Sequence, residues 1–296
     1  MNFELSDDQR TFQTLAKTFS DNELKPNAAK WDAECIFPLE TIKKAGELGF
    51  CSLYVSEDNG GMGLSRLDAT IIIEELAAGC TSTTAFMTIH NMATWMVSEF
   101  GSTVLKEKWL QSLNSGSKLA SYCLTEPGSG SDAASLKTSA IKKDNCYVLN
   151  GSKAFISGSG LTDCLILMAR TGDNGPGGIS CFIIPADAEG IEYGKNETKM
   201  GWRNQPTRAI NLNEVKIPLE NLIGKEGQGF KIAMRGLDGG RINIAACSVG
   251  TAKSTLQHTT AYVKDRKQFK KALSTFQTTQ FKLADMLTEL VAARQM

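Results

Sequence analysis

The run Tyr122-Cys123-Leu124-Thr125-Glu126-Pro127-Gly128-Ser129-Gly130-Ser131-Asp132 concentrates hydroxyls, glycines and carboxylates in one turn, directly after an apolar segment at 119–124. A connecting loop needs a glycine or a proline. Two glycines, a proline and the hydroxyls of Thr125, Ser129 and Ser131 together describe a loop that a ligand approaches closely. Small residues open the backbone, and the exposed N–H and O–H groups are then free to bind the polar edge of that ligand.

Gly128, Gly130 and Ala133 also satisfy the G-x-G-x-x-G/A spacing of a dinucleotide-binding turn. That motif requires a preceding strand, a following amphipathic helix and an acidic residue roughly 20 positions on. Here 135–143 is short and polar, and 146–149 followed by Asn150-Gly151 reads as a hairpin arm. No βαβ unit follows, so the expression matches while its context does not.

The elements that must position this loop fall into three groups. Residues 1–118 read as a helical domain. Ser6-Asp7-Asp8-Gln9 has capping-box spacing, and Phe12, Leu15, Ala16 and Phe19 recur at helical intervals. A second amphipathic stretch covers 42–48, and after glycine-rich 58–63 come two strongly apolar helices, 67–78 and 83–100, suited to the inside of a bundle. Residues 119–225 carry short β-like runs at 119–124, 147–149, 154–157, 165–169, 180–184 and 209–215, separated by turn residues, and predict a small antiparallel β domain. Helical periodicity returns over 226–296. The fold class expected is α+β. The last helix, from Thr278, stops at Ala292-Ala293-Arg294-Gln295-Met296 without a capping residue, and two long helices do not close a bundle. The expectation is therefore a chain that ends inside its C-terminal helical domain.

Composition narrows the function classes. With 296 residues and a formal net charge of zero, nothing points to a nucleic-acid partner, and no apolar run reaches the length of a membrane span. The eight cysteines form no CxxC pair and only His90 and His258 accompany them, which argues against zinc and for buried reduced thiols. A Cys–His catalytic pair is the less economical alternative.

This order of elements, with Cys123-Leu124-Thr125-Glu126-Pro127-Gly128-Ser129-Gly130-Ser131-Asp132 opening the middle part, resembles the acyl-CoA dehydrogenase family. Three further motifs carry the resemblance over the whole chain. They are Gly151-Ser152-Lys153-Ala154-Phe155-Ile156-Ser157-Gly158, then Gly227-Gln228-Gly229-Phe230 with Leu237-Asp238-Gly239-Gly240-Arg241, then Asp265-Arg266-Lys267-Gln268-Phe269 with Gln277. Within the family, Cys80-Thr81-Ser82-Thr83-Thr84, Ile89-His90-Asn91-Met92 and Gln205-Pro206-Thr207-Arg208 are similar to the branch that oxidises isobutyryl-CoA in valine breakdown.

The resemblance implies FAD as cofactor, with Tyr122, Cys123, Leu124, Thr125, Glu126, Pro127, Gly128, Ser129, Gly130 and Ser131 along one side of the flavin. Thr125 would face its pyrimidine edge. Phe155, Ile156 and Ser157 would cover the other side, although Phe155 and Ile156 also suit ordinary strand core and Ser157 a turn. Ser131 would touch the acyl-CoA, and Asp238, Gly239, Gly240 and Arg241 would line the pantetheine channel. Two adjacent glycines in a helix cost roughly 1 kcal/mol each relative to alanine, and either ligand approach or a tight helix crossing would account for them. Arg266, Phe276 and Gln277 are similar to positions that reach the FAD of a neighbouring subunit; the family's glycine is Lys270 here. Phe86, Thr88, Ile89 and His90 are the candidates for the pocket floor, with core packing the alternative for Phe86 and Ile89.

The reaction implied is α,β-dehydrogenation, isobutyryl-CoA to methacrylyl-CoA, with electrons passing to an electron-transfer flavoprotein and a homotetramer as the assembly. The family's glutamate base is expected beyond Met296, and the position that carries it in other relatives is Gly240, so no catalytic base is expected in this chain. Glu126 is expected to be structural. Alternatives are a short-chain or 2-methylbutyryl-CoA dehydrogenase, an oxidase that lets oxygen reach the flavin, or a non-catalytic flavin- or CoA-binding remnant. The expected compartment is a bacterial cytoplasm, or the mitochondrial matrix in a eukaryote.

Overall fold

The computed structural model describes residues 4–296. Its first helices are α1 (Asp7–Phe19), α2 (Ala28–Glu34) and α3 (Leu39–Glu47). Ser6 and Gln9 close the capping box that their spacing predicts. The two apolar helices expected next run end to end as α4 (Arg66–Phe100), interrupted only at Cys80, whose backbone is extended (φ −151°, ψ 98°). The break lies in a buried polar cluster. Asn204 donates from Nδ2 to Thr83 Oγ1 at 2.9 Å, and the Thr84 hydroxyl donates to the Cys80 carbonyl at 2.9 Å. Helix α5 (Thr103–Asn114) then leads into the strands.

The strands are β1 (Ala120–Cys123), β2 (Ser139–Lys143), β3 (Cys146–Ser157), β4 (Cys164–Arg170), β5 (Ile179–Pro185), β6 (Ile191–Tyr193), β7 (Thr207–Pro218) and β8 (Leu222–Ile223). They form one sheet in the order β6-β7-β3-β2-β4-β5-β8, with β1 beside β4. The sheet is mixed rather than purely antiparallel, because β1 pairs with β4 in parallel from Ala120↔Cys164 to Cys123↔Leu167, and Ser139 of β2 also meets Arg170 in parallel. The β2–β3 hairpin lies between β1 and β4 in the chain, so no single hairpin joins these two strands and reverses one against the other.

A second difference concerns Asn150-Gly151. The runs at 147–149 and 154–157 are one strand, and the hairpin turn lies earlier, at Asp144-Asn145, where Asp144 takes φ 49°. Asn150 instead seals a bulge in β7: it donates to Glu214 Oε1 at 2.6 Å and accepts from the Glu214 N–H at 2.9 Å. Gly151 is required beside it, since a Cβ there would lie 2.6 Å from Thr138 Oγ1.

Strands β4 and β5 are buried on both faces. Ile166, Met168, Cys181 and Ile183 pack toward Trp109, Met96, Ile232 and Ala233 of the helices, while Leu165, Leu167, Phe182 and Ile184 share a second core with Leu149, Ile210 and Val215 of β3 and β7. That explains why the runs at 165–169 and 180–184 are continuously apolar instead of alternating. A third core joins α1, α3 and the first half of α4. Beyond the sheet, α6 (Gly229–Asp265) packs along α4, a short ribbon of β9 (Lys267–Gln268) and β10 (Lys271–Ala272) turns the chain, and α7 (Gln277–Gln295) returns beside α6. Among the described residues, no helix is long and apolar enough to cross a membrane.

Candidate active site

Strand β1 ends at Cys123 and the chain turns at once. Glu126 and Ser129 exchange backbone hydrogen bonds of 2.9 and 3.1 Å, which puts Pro127 and Gly128 at the tip of a tight turn. Ser129 donates to the Asp132 carbonyl at 2.6 Å, so its hydroxyl is used within the loop. The facing wall comes from β3. There the ladder to β7 slips between Lys153↔Ile210 and Ile156↔Arg208, leaving Ala154 and Phe155 opposite a single residue. A bulge re-aims side chains. Phe155, at φ 57°, is turned outward and is 67% exposed, while Ile156 remains in the core. Beyond it, Gly158 takes φ 78° where a Cβ would lie 2.5 Å from the Phe86 ring, and Ser121 donates to the Ser157 carbonyl at 2.7 Å.

Between these walls and α6 lies a cleft of about 730 Å³. Of the residues expected in the site, Tyr122, Leu124, Thr125, Gly130, Ser131, Phe155, Ile156, Ser157, Gly240 and Arg241 line it. Thr88 and Ile89 line it as well, joined by Met92, Leu237 and Ile244. The last three had a legible signal, because 237, 240, 241 and 244 share one helical face, as do 88, 89 and 92. No carboxylate lines the cleft among the described residues.

Other expected residues stand elsewhere. The Cys123 side chain is buried in the core behind the sheet, and burial pushes its thiol up to about 12, far from a nucleophile. Phe86 packs edge-on against Phe37 at 4.9 Å. The adjacent glycines divide the two readings between them: a Cβ on Gly239 would strike the Arg66 guanidinium at 2.3 Å, whereas one on Gly240 would meet only Met92 Sδ at 3.6 Å. Asp238 and Arg241 are exposed and 3.6 Å apart. Arg266, Phe276 and Gln277 lie at the far end of α6, where Phe276 meets Phe269 edge-on at 6.4 Å and Arg266 is exposed.

Glu126 is inaccessible to the cleft. It accepts from the backbone N–H groups of Lys137 at 2.7 Å and Thr138 at 2.9 Å, and from Lys153 Nζ at 2.9 Å. Lys153, fully buried, also donates to the Leu124 carbonyl at 3.0 Å. Burial alone would raise the Glu126 pKa, but Lys153 and the two N–H groups outweigh it and hold the carboxyl below its usual range. Burial pulls Lys153 the other way, below the usual ammonium value. The shifts oppose one another; the contact geometry, with the ammonium bound to a carboxylate and a carbonyl, favours the charged pair. A strand lysine between Ser152 and Ala154 gives no sequence signal of this role.

His90 bridges helix and sheet. Its Nδ1 accepts from the Ala120 N–H at 3.1 Å and its Nε2 faces the Leu113 carbonyl at 2.9 Å, which assigns a neutral ring protonated at Nε2. Burial lowers its pKa from 6.5 to about 4. Between those values the unfolded chain binds a proton that the folded chain refuses, so stability falls as pH drops through this window, by up to about 3 kcal/mol in total. A His90→Gln variant should lack that increment. The stability gap between the two proteins, from urea midpoints at pH 7 and pH 4, is expected to narrow by that amount; an unchanged gap would mean the ring is already charged in the fold.

Comparison with known proteins decides the lineage. The acyl-CoA dehydrogenase N-terminal, middle and C-terminal domains match residues 6–117, 121–215 and 227–296. The chain belongs to the acyl-CoA dehydrogenase family. It is 54% identical over 293 residues to the mitochondrial isobutyryl-CoA dehydrogenase of Dictyostelium discoideum and 52% identical over 292 residues to that of Bos taurus, covering 99% of this chain and 70% of each of those proteins. The butyryl-CoA dehydrogenase structure from Megasphaera elsdenii superimposes with a TM-score of 0.95 at 39% identity, over 100% of this chain and 79% of that one.

Acyl-CoA dehydrogenases are FAD-dependent oxidoreductases. The residues of the cleft fit such a group. The Tyr122 hydroxyl is buried at the wall with no hydrogen-bond partner, and burial holds it well above the usual phenol range, so it stays a protonated donor. Around Gly130 a Cβ would find nothing within 4 Å, leaving its backbone open to a ligand, and Phe155 offers an exposed aromatic face across from Thr125.

Proposed function

We propose that this protein catalyses α,β-dehydrogenation of a short branched acyl-CoA, isobutyryl-CoA to methacrylyl-CoA, in valine breakdown. The reading is carried by the cleft in which the 124–131 loop, the 155–157 bulge and the 237–244 face of α6 converge. Tyr122, Leu124, Thr125, Phe155, Ile156 and Ser157 would hold the flavin ring, with Thr125 and Ser157 as its hydroxyl contacts. Glu126, Pro127, Gly128 and Ser129 would shape the loop and Cys123 would back it. Ser131, Asp238, Gly239, Gly240 and Arg241 would form the channel for the pantetheine arm. FAD, when bound, supplies the acceptor for the substrate's β-hydrogen.

The chain's own residues bind, orient and exclude water. The floor of Ile89, Met92 and Ile244, with Thr88 whose hydroxyl is turned to the Ala85 carbonyl, suits a short acyl group. Removing an α-proton needs a general base close to the substrate, and in this reading the base is a carboxylate. No carboxylate lines the cleft among the described residues, and the base would be a glutamate beyond Met296. Arg266, Phe276 and Gln277, exposed or half-buried away from the cleft, would meet the FAD of another subunit in a homotetramer. Electron-transfer flavoprotein would be the acceptor. The proposed domains are 1–118, 119–225 and 226–296. The compartment would be the cytoplasm of a bacterium or the mitochondrial matrix of a eukaryote.

The test is the visible spectrum of the full-length holoenzyme with isobutyryl-CoA and with butyryl-CoA. Faster flavin bleaching by isobutyryl-CoA is expected. Reversed preference would sink the branched-chain assignment in favour of a short-chain enzyme, and peroxide release would indicate an oxidase.

A further inference from the structure

We propose that Lys153 is a positioning residue whose buried pair with Glu126 sets the separation of the two cleft walls. The inference rests on the flavin reading of this cleft and concerns the device behind it. At the β3 bulge, Ala154 stands out of register with β7, and its N–H donates across to the Thr125 carbonyl at 2.9 Å. One residue earlier, Lys153 Nζ reaches the Leu124 carbonyl at 3.0 Å and the Glu126 carboxylate at 2.9 Å. Leu124, Thr125 and Glu126 of the loop are thus tied to Lys153 and Ala154 at the start of the bulge. The next residue along β3, Phe155, and the tied loop residues Leu124 and Thr125 are the facing linings of the cleft.

The carboxylate extends the tie to a third segment. Through the N–H groups of Lys137 and Thr138 it holds the entry to β2, and Thr138 packs against Gly151 at the other irregularity of the β3–β7 pair. Loop, bulge and strand entry therefore move together or not at all. Stability by itself does not account for an ion pair here. Removing two charges from water is costly, and apolar residues of equal volume often serve a core as well or better. What apolar residues lack is direction: a methionine at 153 fills the space but cannot grip the Leu124 carbonyl and Glu126 at once. A directional tie is the means to hold two walls at the separation a planar ring needs.

The experiment compares wild type with Glu126→Gln/Lys153→Met, which removes both charges while leaving an amide oxygen for the Lys137 or Thr138 N–H. Three quantities are measured on the full-length protein: the melting temperature, hydrogen–deuterium exchange of peptides spanning 122–138 and 151–158, and FAD affinity by titration of the apoprotein. The expected result is exchange at least tenfold faster in those two peptides and FAD affinity at least tenfold weaker, both beyond what the change in melting temperature predicts for the rest of the chain. Wild-type exchange and wild-type affinity in the double variant would overturn the proposal, as would losses spread evenly over all peptides. Should the double variant not fold, Glu126→Asp keeps both charges and shortens the tie by one methylene, and the same local loosening is required of it. A wild-type protein that takes up no FAD would overturn the flavin reading alone, and the exchange measurements would still judge the tie.

Discussion

Lys153→Met alone is expected to destabilise the fold by about 3–5 kcal/mol, the range for breaking one side of a buried ion pair. The single change leaves Glu126, whose side chain is 7% exposed, charged in a site that has lost its cation, and it orphans the Leu124 carbonyl. Its pH dependence supplies a signature that generic core damage lacks. In the wild type the folded Glu126 pKa is lowered, so its contribution is present above the unfolded carboxylate pKa and is lost as pH falls through the folded value. Without Lys153 the burial effect, which raises the pKa, is left without its largest opponent. The variant should then gain on the wild type as pH falls, because protonation relieves the buried charge. Urea unfolding from pH 7 to pH 4, read at constant m, checks both parts. A destabilisation below about 1 kcal/mol, the size of an exposed pair, would mean that solvent reaches the site.

The second large effect is expected at Gly240. It lines the cleft, its missing Cβ would meet only Met92 Sδ at 3.6 Å, and a helix interior favours glutamate over glycine by roughly 0.5–1 kcal/mol. Gly240→Glu should therefore fold, and it would put a carboxylate into a cleft whose described lining has none. Positioned general bases contribute typically about 10²–10⁴-fold. For the 296-residue chain supplied with FAD, deuterium uptake at the α-carbon of isobutyryl-CoA in D₂O, followed by NMR, should rise at least about a hundredfold over the unsubstituted chain. Rapid exchange already present without the substitution would show that a base lies among these residues, against the proposed assignment. Gly239→Glu is the control, since its side chain would be driven into Arg66 rather than the cleft.

Much of this molecule is determined by its sequence alone. The helical, strand and helical stretches, the capping box at Ser6 and the loop from Tyr122 to Asp132 follow from periodicity and from residues whose conformational preferences are local. The lineage is also legible, because four motifs recur in order, and the helical spacing of 237, 240, 241 and 244 anticipates one face of the cleft.

Only the tertiary structure decides the rest, and the reasons are physical. Whether Asn150-Gly151 makes a hairpin or fills a bulge depends on Glu214, a partner 64 residues away that local preference cannot see. The parallel pairing of β1 with β4 depends on the route of the chain between them, through β2 and β3. Gly239 and Gly240 are identical in sequence terms, yet one faces Arg66 and the other the cleft, since adjacent helical positions are rotated by about 100°. Lys153 stands in one of the four motifs, but nothing in its local sequence signals burial. Its burial arises because a bulge brings β3 against the loop after β1, where a carbonyl and a carboxylate from distant segments meet one ammonium.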